Sequence, residues 1–132
     1  MTESGAGAFR AAIEAQDIEA AIALLSEDVV FYSPVVFKPC HGREVVAGIL
    51  RAVSRVFEDF RYVRAIGAPD AADHALVFRA RVGDREIEGS DFLHLGEDGS
   101  IGEFTVMVRP LSAALALAEA MKAQLAAAPP TV

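Results

Sequence analysis

Glu86-Ile87-Glu88-Gly89-Ser90-Asp91-Phe92-Leu93-His94-Leu95 alternates with period two. Successive side chains of a strand point to opposite faces, so Ile87, Gly89, Asp91, Leu93 and Leu95 share one side. Glu86, Glu88, Ser90, Phe92 and His94 share the other. The stretch predicts a strand with one apolar face, and a carboxyl group is written into that face. Desolvation disfavours the charged form of a buried acid. Asp91 is therefore either a structural acid, satisfied by backbone or water, or the polar point of a pocket.

Outward from this stretch the same period continues. Leu76, Phe78, Ala80 and Val82 alternate with Arg79 and Arg81; Phe104, Val106 and Val108 alternate with Glu103, Thr105 and Arg109. Four β segments are predicted, near 60–68, 73–83, 85–96 and 100–109. Ala68-Pro69-Asp70, Gly83-Asp84 and Glu97-Asp98-Gly99 supply the turns between them.

Upstream, Phe9, Ile13, Ile18, Ile22 and Leu25 form the apolar stripe of a helical region over about Ala6–Leu25. It bends near Gln16-Asp17, where Asp17 can cap a second helix. Val29, Val30, Phe31 and Tyr32 predict a strand over Asp28–Ser33, ended by Pro34, and a loop runs on to Gly42. Val45, Val46, Ile49, Leu50, Val53, Val56 and Phe57 predict a helix over about Arg43–Glu58. Pro110 opens a last, alanine- and leucine-rich helix reaching about Leu125. Helices followed by an antiparallel run that folds around them make the class α+β.

The 132 residues suit one domain over 1–132, with frayed ends at about 1–6 and 128–132. A formal charge of −7 argues against nucleic acid as a partner, because phosphate contacts need clustered Lys and Arg. Arg51, Arg55, Arg61 and Arg64 read as solvated faces. No apolar run is long enough for a membrane helix, and no basic-then-apolar leader opens the chain, so a cytoplasmic location is expected. Cys40 is the only cysteine, which excludes an internal disulfide. Cys40-His41, with only His74 and His94 as further imidazoles, lacks metal-ligand spacing. No metal and no cofactor is expected.

Two stretches carry a family resemblance. Glu14-Ala15-Gln16-Asp17-Ile18-Glu19, with Leu25-Ser26-Glu27-Asp28-Val29-Val30-Phe31-Tyr32-Ser33-Pro34-Val35, is similar to the helix–Asp–helix–strand–Pro-Val opening of ketosteroid isomerases and SnoaL-like proteins. Asp91-Phe92-Leu93-His94-Leu95, followed by Gly99 and Ile101, resembles the Asp–strand–Gly-turn–strand segment of the same nuclear transport factor 2-like superfamily. The resemblance implies a curved, mainly antiparallel sheet wrapped around N-terminal helices to form a cone-shaped pocket, in a cystatin-like fold. It also implies a small hydrophobic ligand, and a homodimer formed through the outer sheet face with Phe92, Thr105 and Met107 as contacts.

Ketosteroid isomerases pair an aspartate base with an oxyanion hole of a tyrosine and a protonated aspartic acid. The resemblance puts the protonated acid on Asp91, the tyrosine on Phe9 and the base on Ser33. Serine does not take a proton from carbon without an activating base, so that reaction is not expected by that route. The limonene-epoxide-hydrolase branch needs an Asp–Arg–Asp relay, whereas Arg79, Arg81 and Arg109 have outward parity here.

Asp91 is the leading catalytic candidate, as proton donor, base or oxyanion stabiliser. Tyr32 is outward by parity, and only a bulge before Pro34 turns it inward. His41 is expected near the pocket mouth, in a loop lid. Phe9, Ile13, Val29, Phe31, Ser33, Val53, Phe57, Phe78, Leu93, Phe104, Val106 and Val108 are the expected pocket lining. A non-catalytic binding protein and a dimerisation module with a filled core stay open beside the cofactor-independent isomerase, cyclase or hydrolase.

Overall fold

In the computed structural model, which describes residues 5–127, the elements run α1 (Gly5–Glu14), α2 (Ile18–Ala23), β1 (Leu25–Tyr32), β2 (Cys40–His41), α3 (Arg43–Val56), β3 (Glu58–Ile66), β4 (Asp73–Val82), β5 (Arg85–Leu95), β6 (Ile101–Arg109) and α4 (Leu111–Ala127). One six-stranded sheet has the order β2-β1-β6-β5-β4-β3. It is curled and unclosed. The β1–β6 pair is parallel and every other neighbour antiparallel, so the architecture is the expected α+β.

Period two decides which face of the sheet is covered. Leu76, Phe78, Ala80 and Val82 on β4, and Ile87, Asp91 and Leu93 on β5, are buried. Arg79 and Glu88 pair on the opposite face at 3.1 Å, and Arg109 reaches Glu88 at 3.2 Å. Phe92 and Met107 are exposed on that face. The covered face carries α1, α3 and α4, and its core joins Phe9, Leu25, Val29, Phe78, Leu93 and Phe104.

Local chemistry explains most boundaries. The Asp17 carboxylate accepts from the Ala20 N–H at 3.1 Å and starts α2. The Pro110 carbonyl accepts from Ala113 and Ala114 as α4 opens. Four boundaries depart from the sequence reading. Leu25 belongs to β1, where it pairs with Ile101 in the parallel ladder, so the first strand starts earlier than Asp28. Cys40-His41 is a short strand paired with Val30 and Phe31 rather than part of a loop. Helix α3 stops at Val56, since Phe57 is already extended. Gly5 and Ala6 lie in α1, with Ala6 buried, whereas the remaining positions expected to fray, 1–4 and 128–132, lie outside the described residues. Val45, assigned to the apolar stripe of α3, is exposed.

Gly89 faces Phe78 across the β4–β5 ladder. A Cβ at Gly89 would lie 2.5 Å from Phe78 Cζ and 2.7 Å from the Met107 carbonyl oxygen. The glycine is thus the space in which the Phe78 ring rests, beside Asp91. Gly89→Ala should destabilise the fold by about 1–3 kcal/mol, the usual cost of forcing atoms into a packed core. Chemical denaturation measures it, and an unchanged midpoint would contradict this packing.

Candidate functional site

Asp91 sits mid-strand on β5, between Leu76 of β4 and Val106 of β6, and is 6% exposed. Its Oδ2 accepts a 2.7 Å hydrogen bond from the Tyr62 hydroxyl. Tyr62 lies on β3, with β4 between it and β5, so the two strands are about 10 Å apart and the Tyr62 and Asp91 side chains together bridge that gap. Among the described residues nothing else hydrogen-bonds the carboxyl group, and Oδ1 is left open.

Burial raises the Asp91 pKa from 3.8 to about 7, and the Tyr62 hydrogen bond opposes that rise. Burial, followed by the nearby Asp91 charge, pushes the Tyr62 hydroxyl upward and keeps it protonated. Tyr62 is therefore a fixed donor and Asp91 the group that titrates. The Arg10 guanidinium lies 5.9 Å from the Tyr62 ring centre, and Phe60 packs edge-on at 5.0 Å. These contacts hold the ring in place.

Asp91 lines a cavity of about 220 Å³ between the sheet, α3, α4 and the loop after β1. Phe31, Phe78, Phe104 and Val106 line it from the sheet, and Val53 and Phe57 from the α3 side. Ser33 also lines it, with its Oγ accepting from the Val35 N–H at 3.0 Å. The structure thus brings Asp91 together with seven of the expected lining residues. It holds the other five elsewhere. Phe9 and Val29 are core, Phe9 lying edge-on to Phe104 at 5.4 Å. Ile13 lines a second cavity with Tyr62. Leu93 lines a groove with His74 and His94, and Val108 one with Tyr32.

Tyr32 pairs with Thr105 in the β1–β6 ladder and shares its groove with Thr105 and Met107, apart from Asp91. His41 is exposed on β2 and does not line the Asp91 cavity. His94 Nδ1–H donates to the Asp73 carboxylate at 2.7 Å on the exposed face, and that carboxylate raises the His94 pKa. Among the described residues no group of His, Cys, Asp and Glu could hold a metal ion.

Sequence reasoning missed Tyr62. The β3–β4 register shifts between Glu58 and Arg61, and again between Tyr62 and Arg64. Asp59, at φ 53, sits in the first irregularity. Two bulge-like shifts break the period-two signal, and Tyr62 is the only residue of β3 that ends buried. The i, i+4 spacing of Leu117, Met121 and Leu125, which bring α4 to the cavity, was a usable signal.

The model of the SnoaL-like domain matches residues 6–104. The chain belongs to the SnoaL-like family. Among solved structures, a steroid delta-isomerase from Pseudomonas aeruginosa is 42% identical, with a TM-score of 0.87, covering 92% of this chain and 89% of that one. An uncharacterized, cystatin-like-fold protein from Silicibacter pomeroyi is 36% identical, with a TM-score of 0.87, covering 93% and 86%. A nuclear transport factor 2-like protein from Cytophaga hutchinsonii, 20% identical with a TM-score of 0.62 over 83% and 94%, shares the fold alone. No match was found among curated proteins. This SnoaL-like chain therefore has the fold its resemblance implied. No described helix is long and apolar enough to cross a membrane.

The raised Asp91 pKa sets a pH dependence of stability. Below 3.8 both folded and unfolded chains hold the proton. As pH rises toward about 7 the unfolded chain releases it first, so stability is lost across that window and the loss is complete above it. Asp91→Asn removes this titration while Tyr62 keeps an acceptor. Relative to wild type, the variant should gain stability by a few kcal/mol from pH 4 to pH 7. His94 titrates in both proteins and cancels. Urea denaturation across pH measures the difference, and a flat one would contradict the shift.

Proposed function

We propose that this protein binds a small hydrophobic carbonyl compound in the Asp91 cavity and catalyses an isomerase-type proton transfer on it. The observation that carries this reading is a buried carboxyl group in an apolar cavity, anchored by Tyr62 through one oxygen and open at the other. A base works best when its pKa lies near the operating pH, and Asp91 titrates at about 7.

With one carboxyl group in the cavity, the reaction that balances is a one-base shuttle. Ionised Asp91 takes a proton from the carbon next to the carbonyl, and the electron pair of the broken C–H bond moves to the carbonyl oxygen as an enolate. Where a C=C adjoins that carbon, the enolate extends over it. Protonated Asp91 then delivers the proton to the far carbon of the C=C, the carbonyl re-forms and the double bond ends conjugated with it. The isomerase name of the Pseudomonas aeruginosa structure supports the reaction class, and Asp91 is the group that would perform it here. The exposed Phe92 and Met107 of the opposite sheet face are what a second copy would cover.

A second reading, binding without catalysis, is favoured by Phe9 and Ser33. Phe9 is core-packed without a hydroxyl, and Ser33 already hydrogen-bonds Val35. Deuterium exchange into cyclic ketones, followed by NMR in deuterated buffer, separates the two. Catalysis predicts exchange that rises with pH through about 7 and falls at least about 100-fold in Asp91→Asn. Exchange no faster than in that variant would contradict the enzyme reading.

A further inference from the structure

We infer that the molecule this cavity accepts is uncharged, carries one carbonyl oxygen toward Asp91 and has a compact body of roughly nine non-hydrogen atoms, well short of a four-ring steroid. The inference rests on the reading of Asp91 as the ligand-facing group and adds the size and charge of the ligand.

Size comes from the volume and from its walls. A dry cavity of about 150 Å³ takes benzene, and on that scale about 220 Å³ holds a substituted single ring. A steroid nucleus carries about twice as many atoms as that. The walls have little room to yield, because protein interiors are close-packed. Phe104 is wedged edge-on against Phe9 at 5.4 Å and Phe31 at 5.2 Å. Phe78 is stacked on Phe60 at 4.9 Å, with Phe57 at 5.5 Å. Leu50, Val53 and Phe57 line both this cavity and the one containing Tyr62, so they stand between the two. The remaining direction is the rim, where Val35, Val36 and Leu125 are exposed. A longer ligand would leave its extension in water there and gain little from it.

Charge comes from what the lining lacks. Among the described residues no Lys, Arg or His lines the cavity. A carboxylate or phosphate would meet Asp91 with no compensating cation, and an uncompensated buried charge is strongly unfavourable. An ammonium group brings three donors. The cavity offers it the open Asp91 Oδ1 and the second lone pair of Ser33 Oγ, whose first accepts from the Val35 N–H, so at least one ammonium proton is left without an oxygen partner. One carbonyl oxygen matches the one proton of the protonated Asp91 carboxyl, the form that binds below pH 7. The ionised form, which acts as base, presents the same oxygen to the adjacent C–H instead.

Calorimetric titration of the full chain below pH 7 tests this with cyclohexanone, a trimethylcyclohexenone, a two-ring ketone and a steroid ketone. Carboxylic acid and amine analogues of the trimethyl ring complete the set. Affinity should rise at least tenfold from cyclohexanone to the trimethyl ring, as added methyl groups are buried, and should then fall at least tenfold for the steroid. The acid and the amine should each bind at least tenfold more weakly than the ketone. Met121→Ala, on the α4 wall, should shift the optimum to the two-ring ketone. A steroid binding more tightly than the trimethyl ring, or an acid or amine equalling the ketone, overturns the inference.

The Asp91→Leu/Tyr62→Phe double variant, which leaves no hydroxyl stranded, separates this from the function proposed above. Loss of the preference for ketone over the matching hydrocarbon supports both. An unchanged preference with the same size order overturns the role of Asp91 alone. A steroid optimum that still depends on Asp91 overturns the size alone. No ketone binding in wild type overturns both.

Discussion

A single hydrogen bond, from the Tyr62 hydroxyl to Asp91 Oδ2 at 2.7 Å, makes the centre of this molecule tenable. Taking a carboxyl group out of water costs several kcal/mol when it is left unpaired. Tyr62 answers for one oxygen only. The other has no hydrogen-bond partner among the described residues, and Asp91 lines an apolar cavity. The acid stays poised between its two protonation states because burial and the tyrosine pull in opposite directions. The neighbouring packing follows from that placement. Gly89 clears the space for Phe78, the Phe57–Phe60–Phe78 cluster walls one side, and the Phe9–Phe31–Phe104 cluster walls the other.

The inward row of β5 was legible because alternation is a local property. Ile87, Asp91 and Leu93 needed no knowledge of the partner strands. The same holds for β4 and β6, and hence for the class of fold. Tyr62 was hidden because its burial depends on two register shifts that only pairing with β4 creates. The inclusion of Leu25 in β1 was hidden for a similar reason. It follows a helix without a break in composition, and the parallel ladder to Ile101 is a long-range contact. The pocket lining was legible where parity alone decides, as at Phe31, Phe78 and Phe104, and not where depth decides. Phe9 and Val29 point to the same interior and stop short of the cavity.

Family membership and site chemistry carry different weights here. The SnoaL-like match and the 42% identical isomerase structure establish which fold this is. A fold of this kind hosts many reactions, and the residues around Asp91 determine which of them remain open. Phe9 and Ser33 stand where a ketosteroid isomerase resemblance would ask for a tyrosine and a base, and Tyr62 enters from a different strand. The acid thus keeps a tyrosine partner, while among the described residues no second carboxyl group and no His or Lys lines the cavity beside the Cys40 thiol. A one-base reaction or simple binding is what such a lining can support.

The protonation of Asp91 is the quantity on which this account turns. Carbon-13 NMR of the Asp91 carboxyl, titrated in wild type and in Tyr62→Phe, measures it directly. The account predicts a midpoint near 7 in wild type and a higher one in the variant, since the lost hydrogen bond favoured the ionised form. A midpoint in the ordinary carboxylate range, or one that does not move when Tyr62 loses its hydroxyl, would contradict it.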